Sequence, residues 1–162
     1  MKDPDCPVSV VREEYYIEQT SSVVDYSVSQ LLTNSPWETY GENYWLAPVG
    51  QKSVEFVLDL GCSKQVNMVE LVNTHNGFRM NRGTKEFKVF VSESSEGPWE
   101  LVVHQTLEDS RYQSDRLPLQ TFPFHDLKVR FVKFNQISFH GDGGGLQYFG
   151  IKRGINKFQI SK

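Results

Sequence analysis

Residues 54–60 read VEFVLDL, and their alternation decides the fold class. Val54, Phe56, Leu58 and Leu60 fall on one side of an extended chain, Glu55 and Asp59 on the other. A period of two with one apolar face marks a half-buried strand. Gly61 is expected to end it. Working outward, VNMVELV (66–72), KEFKVFVS (85–92), WELVVHQ (99–105), VRFVKFNQI (129–137) and LQYFGIK (146–152) also read as strands. SEGPW (95–99) joins two of them through a tight turn punctuated by Gly-Pro. The apolar phase of 129–137 slips between Phe131 and Val132, as at a β-bulge. No segment carries an apolar stripe at helical spacing over ten residues; only SVSQLL (27–32) suggests a short helical turn. Short strands separated by turns predict an all-β sandwich or barrel.

The chain has 162 residues, enough for one domain with its own core. Residues 1–20 read as a lead-in, with Pro4 and Pro7 breaking regular structure and VSVVREEYYIEQ offering one strand. Residues 21–152 form the body, and 153–162 a basic, solvated tail. A net charge of -3 provides no broad basic field for a nucleic-acid backbone. No apolar run approaches the ~20 residues that cross a bilayer. The start, MKDPDCPVSVV, lacks the apolar stretch of a signal peptide, so a cytosolic protein and a mature or partial extracellular one both remain open. Cys6 and Cys62 are the only cysteines. They allow one disulfide or two thiols, and they exclude a four-thiolate zinc site.

Function in a sandwich collects in the loops at the sheet ends, and three loops here are unusually rich. THNGFRMNRGTK (74–85) holds His75, Asn76, Phe78, Arg79, Asn81 and Arg82. Imidazole, amide and guanidinium groups give directional hydrogen bonds to hydroxyls, and an aromatic ring covers an apolar sugar face. The same residues are equally able to satisfy their own loop backbone. NSPWETYGENYWLAP (34–48) is dense in aromatics, with Trp37, Tyr40 and Tyr44 as a platform and Trp45 as a plug for the core. SFHGDGGGLQYF (138–149) lets the backbone pass close to a neighbour through four glycines around Asp142. It lacks the GxxxxGK[ST] pattern, so a nucleotide cradle is not expected.

At these residues the chain resembles the discoidin family, the coagulation factor 5/8 type C domains. VEFVLDLGCSKQVNMVELVNTHN, RGTKEFKVFVSESSEGPWELV, VRFVKFNQIS and GGGLQYFGI match in order and spacing, within roughly residues 20–152. The resemblance implies a galactose-binding-like jelly-roll sandwich of about eight main antiparallel strands. It also implies recognition of carbohydrate, lipid head groups or protein surfaces through loops 37–46, 75–84 and 139–145. Carried over residue by residue, it makes His75, Asn76, Phe78, Arg79, Asn81 and Arg82 ligand candidates, with Tyr44 and His140 from neighbouring loops. Many members hold a structural calcium. Here Thr33, Asn34, Ser35 and Thr39 stand where acidic groups are expected, and Gln147 where a Glu is common. These neutral oxygens would hold calcium weakly, so no cofactor is required. The family's terminal disulfide has no counterpart, because nothing near the C-terminus can pair with Cys6.

The expected function is a non-catalytic module that binds a galactose-type glycan or glycoprotein, as in lectin-like or cell-adhesion proteins. The alternative is a protein-interaction or adaptor domain, with an intracellular location left open; a membrane surface ranks third. Catalysis is not expected. His75, His104, His125 and His140 are scattered, neither HExxH nor GxSxG occurs, and a His/Asp pair that folding could bring together, such as His140 with Asp142, arises by chance on any surface.

Overall fold

A computed structural model describes residues 5–14, 26–33, 44–113 and 117–154. Among the described residues seven strands appear: β1 (Ser9–Glu14), β2 (Trp45–Leu46), β3 (Val54–Asn73), β4 (Glu86–Ser92), β5 (Glu100–Thr106), β6 (Leu119–Gln136) and β7 (Gly145–Lys152). The expected turn at 27–32 is a 3-10 helix, Val28–Leu32. All strand pairings are antiparallel, in the order β2-β7-β3-β6-β4-β5, with β1 on the free edge of the first half of β3.

The two longest strands pass through both layers of the sandwich. Residues 54–59 of β3 pair with β1 and with residues 131–136 of β6, which in turn carry β4 and β5. Residues 66–72 of β3 pair with residues 119–127 of β6 and with β7. With each half counted separately and the two-residue β2 left out, these segments make eight strands, five in one layer and three in the other. This is the β-sandwich that the alternation predicted, with the strand number that the family resemblance implied.

Gly61 therefore does not end a strand; it bends one. Between register pairs Asp59↔Phe131 and Lys64↔Val129, β3 advances five residues while β6 advances two. Gly61 takes a φ of +87, and a Cβ there would stand 2.5 Å from the Pro7 carbonyl oxygen, so only glycine fits. Asp59 secures the bend: its Oδ1 accepts the Gly61 amide at 2.8 Å, and the carboxylate receives two bonds from Arg130 at 3.0 and 3.1 Å. Cys6 and Cys62 are joined in a disulfide across the same bend, Cα–Cα 5.5 Å, which ties the lead-in to the body. The sequence left bridge and free thiols open; the backbone approach at Gly61 brings the two cysteines together.

The phase slip in 129–137 corresponds to burial switching from Val129 to Val132 and Phe134, but the extra residues lie in β3, not β6. The first half of β6, LQTFPFHDLK, carried no expected strand because Pro123 interrupts it. Pro123 sits beside the second register shift, opposite Met68, where a strand tolerates a missing N–H. The core is aromatic. Phe56 and Phe87 stack on Phe134 at 5.1 and 5.6 Å, while Trp45 and Phe149 meet Phe56 edge-on at 5.3 and 6.0 Å. Trp45 is fully buried and plugs the core as expected.

Candidate functional site

Strands β3 and β4 emerge at one end of the sandwich and are joined by residues 74–85. The base of this loop is closed by Asn73, which is fully buried. Its Oδ1 accepts the amides of Thr74 and Thr84 at 3.1 and 2.9 Å; its Nδ2 donates to the carbonyls of Thr84 and Glu108 at 2.8 and 3.1 Å. Every hydrogen-bonding position of the amide faces a backbone partner, so the loop leaves a rigid neck. The Thr84 hydroxyl adds a bond to the Gly145 carbonyl at 2.8 Å, tying the neck to β7.

Above the neck, a chain of side chains fills the loop interior. The Tyr44 hydroxyl donates to Asn76 Oδ1 at 3.0 Å, Asn76 Nδ2 to Asn81 Oδ1 at 2.8 Å, and Asn81 Nδ2 to Asp142 Oδ2 at 3.2 Å. Asn76 has a φ of +63, a conformation asparagine tolerates better than most residues, and its amide bonds back to Thr74 Oγ1 at 3.1 Å. Tyr44 also stacks on Tyr26, ring centroids 5.1 Å apart. Arg82 runs inward and donates to the Ala47 carbonyl at 2.6 Å. Burial lowers its pKa, and the Asp142 carboxylate and both tyrosines counter that shift; an arginine so placed stays charged.

The glycine-rich loop, residues 138–144, lies against this one backbone to backbone. Gly83 donates to Gly143 at 3.0 Å, His140 to Gly83 at 2.8 Å and Asp142 to Asn81 at 2.8 Å. Gly141 makes the approach possible: at φ +76, a Cβ on it would stand 2.4 Å from the Asn81 carbonyl oxygen. His140 and Asp142 do not form the pair considered from the sequence. His140 Nε2 bonds the Leu107 carbonyl at 3.0 Å and its Nδ1 lies 3.9 Å from Asp109, whereas Asp142 takes the Asn81 amide.

The eight ligand candidates thus divide. Tyr44, Asn76, Asn81, Arg82 and His140 are bonded into the loop scaffold. His75 and Arg79 make no side-chain hydrogen bond among the described residues; His75 is half-buried, with its Nδ1 shielded and unbonded, and Arg79 is exposed. Burial holds the His75 pKa below the usual 6.5. Phe78 belongs to a 3-10 turn, Gly77–Arg79, and its side chain lies outside the described residues. Trp37, Tyr40, Asn34, Ser35 and Thr39 also lie outside them. Gln147 is buried in β7. Among the described residues, no group of three or more His, Cys, Asp or Glu is placed to hold a metal.

Three features escaped the sequence reading. Asn73 and Tyr26 had no local signal, because their partners are distant in sequence. Residues 107–113 form a fourth loop at this end, joined to the others by the Leu107 amide bonding the Lys85 carbonyl at 2.9 Å. The run LEDSRYQ looks like any polar connection.

Comparison with known proteins agrees with this architecture. The family profile described as F5/8 type C domain matches residues 17–149. No curated relative matches the chain in sequence. Among solved structures, CpGH89CBM32-5 from Clostridium perfringens, in complex with GalNAc-β-1,3-galactose, gives a TM-score of 0.69 at 15% identity, over 90% of this chain and 95% of that one. The family 32 carbohydrate-binding module of C. perfringens NanJ, in complex with galactose, gives 0.65 at 12% identity, over 90% and 93%. Chitosan-binding module 1 from the chitosanase/glucanase of Paenibacillus sp. IK-5 gives 0.64 at 16% identity, over 91% and 96%. At such identities the likeness is one of fold.

Proposed function

This chain belongs to the F5/8 type C domain family, and from that premise we propose that it is a non-catalytic module that binds a galactose-type glycan through the loops around residues 74–84. The observation that carries the reading is the division of labour in that loop. Most of its polar side chains are used to hold the loop rigid, while His75 and Arg79 have no partner among the described residues. His75 Nδ1 is shielded, so a sugar hydroxyl would meet Nε2, which in a neutral imidazole is either a donor or an acceptor; a hydroxyl can answer either role. Arg79 supplies further donors at the rim. The supporting network of Tyr44, Asn76, Asn81 and Arg82 keeps the loop in place before a ligand arrives, which lowers the ordering cost of binding. The solved modules with this fold that hold GalNAc-β-1,3-galactose and galactose support the ligand class.

A glycan array probed with the purified chain, followed by calorimetry with galactose, tests the reading. Binding to galactose-bearing glycans is expected, with His75→Ala and Arg79→Ala each weakening it about tenfold or more, the range of a lost hydrogen bond to a charged or buried group. An array without a hit, or variants that bind as well as the parent, would overturn it. A protein partner is the second reading, favoured by two exposed apolar side chains on these loops, Val49 (70% exposed) and Met80 (46%). A stoichiometric protein partner whose binding is lost in Met80→Asp, without sugar affinity, would select that reading.

A further inference from the structure

The fourth loop presents an aromatic ring to solvent from a clamped turn. Asp109 accepts two bonds from the Arg111 guanidinium, Nε to Oδ1 at 2.9 Å and Nη2 to Oδ2 at 2.7 Å, and its Oδ1 also accepts the Arg111 amide at 3.1 Å. The Gln113 amide closes the turn on the Ser110 carbonyl at 3.2 Å. Between these fixed points stands Tyr112, 72% exposed, with the Arg111 guanidinium carbon 5.2 Å from its ring centroid. Holding a phenol ring in water from a clamped turn gains nothing for folding, because its apolar surface stays hydrated.

The position of this ring gives it a use. The fourth loop joins the scaffold of the first through the Asn73–Glu108 and His140–Leu107 bonds. The Arg111 Cδ lies 3.2 Å from where a Cβ of Gly141 would be, and that same point is 2.4 Å from the Asn81 carbonyl oxygen. The shelf carrying Tyr112 is therefore continuous with the loop that carries His75 and Arg79. We propose that Tyr112 forms a second subsite, stacking on a further sugar of the chain whose first sugar is held at His75 and Arg79, so that the ligand is an oligosaccharide. This proposal rests on the carbohydrate reading above. A pyranose ring has a C–H face that packs on an aromatic ring, and the phenol hydroxyl can bond a sugar hydroxyl beside it. The Asp109–Arg111 clamp would limit the entropy lost on stacking.

Calorimetry with four probes tests the subsite: galactose, lactose, GalNAc-β-1,3-galactose and β-1,4-linked galactotetraose. Lactose and the GalNAc disaccharide extend galactose from different positions. At least one extended probe is expected to bind about tenfold tighter than galactose, the size of one good aromatic contact. In Tyr112→Ala that gain is expected to collapse to the level of galactose, and in Tyr112→Trp to persist. Equal affinity for galactose and all extended probes, or a gain that survives in Tyr112→Ala, would overturn the subsite alone. No binding of any probe by the parent chain would overturn the carbohydrate reading together with it.

Discussion

Asn73 and Thr84 bond each other in both directions across the neck of the 74–83 loop, Thr84 N–H to Asn73 Oδ1 at 2.9 Å and Asn73 Nδ2 to the Thr84 carbonyl at 2.8 Å. Both residues are fully buried. Truncating Asn73 to alanine leaves two backbone amides and two carbonyls without their side-chain partner. Unsatisfied buried groups cost about 1–3 kcal/mol each and are not additive. Asn73→Ala is expected to lose about 3 kcal/mol of stability in urea unfolding, far more than an average substitution.

Gly141 and Gly50 have nearly the same backbone, φ +76 and +74, but different surroundings. A Cβ on Gly50 meets nothing within 4 Å; one on Gly141 meets the Asn81 carbonyl. Gly50→Ala should cost only the backbone term, about 1 kcal/mol. Gly141→Ala is expected to cost clearly more and to weaken glycan binding by pushing the two loops apart. Thermal unfolding and calorimetry of the pair check this; equal losses would mean that the loop contact contributes nothing.

His75 gives a pH signature. Its pKa is lowered from 6.5 by burial, so the unfolded chain binds a proton more readily than the folded one. The stability this neutral ring contributes is complete above 6.5 and declines as pH falls from there through the lower folded value. If the neutral ring bonds the sugar, half-loss of binding should fall below pH 6.5. An NMR titration of the ring, followed beside calorimetry, measures both midpoints, and His75→Gln should flatten the binding profile.

A separate, more acidic transition is expected from Asp59. Its hydrogen bond to Arg130 holds the carboxyl below its ordinary 3.8. A depressed carboxylate contributes stability above its unfolded pKa and loses it as pH falls through the folded value. Acid unfolding of the parent and of Asp59→Asn should therefore converge below pH 3.8, with the parent more stable above it.

The disulfide between Cys6 and Cys62 spans 56 residues of sequence. Closing a loop of that size removes about 4 kcal/mol of unfolded-chain entropy in the simplest treatment. Replacing both cysteines by serine should lower stability by about 2–4 kcal/mol. Guanidinium unfolding of the double variant reads the loss, and β1 should be the first element to exchange its amide hydrogens.

The strands were legible wherever they alternate, because the period-two pattern is written in neighbouring residues. VEFVLDL and KEFKVFVS needed no tertiary information. The run LQTFPFHDLK was not legible, since Pro123 fits a strand only beside a register shift that another strand supplies. Gly61 read as a stop because a bend and an end use the same residue; the difference lies in Pro7, more than fifty positions away. In the loops, residue types identified the right region but not the roles. Arg82 and Arg79 are interchangeable on paper, and only the Ala47 carbonyl separates the half-buried brace from the exposed rim. Tyr112 has no apolar neighbour pattern to mark it, and its place beside the first loop depends on Gly141, far along the chain.

The passage of β3 and β6 through both layers has a mechanical consequence. A sandwich of two separate sheets has a seam along which it can be parted like the halves of a shell. Here any force or fluctuation that opens one layer must also strip hydrogen bonds from strands that continue into the other. The loop end is thus mounted on a frame without a hinge, and the spacing between its loops is set by covalent chain that runs the full length of the body.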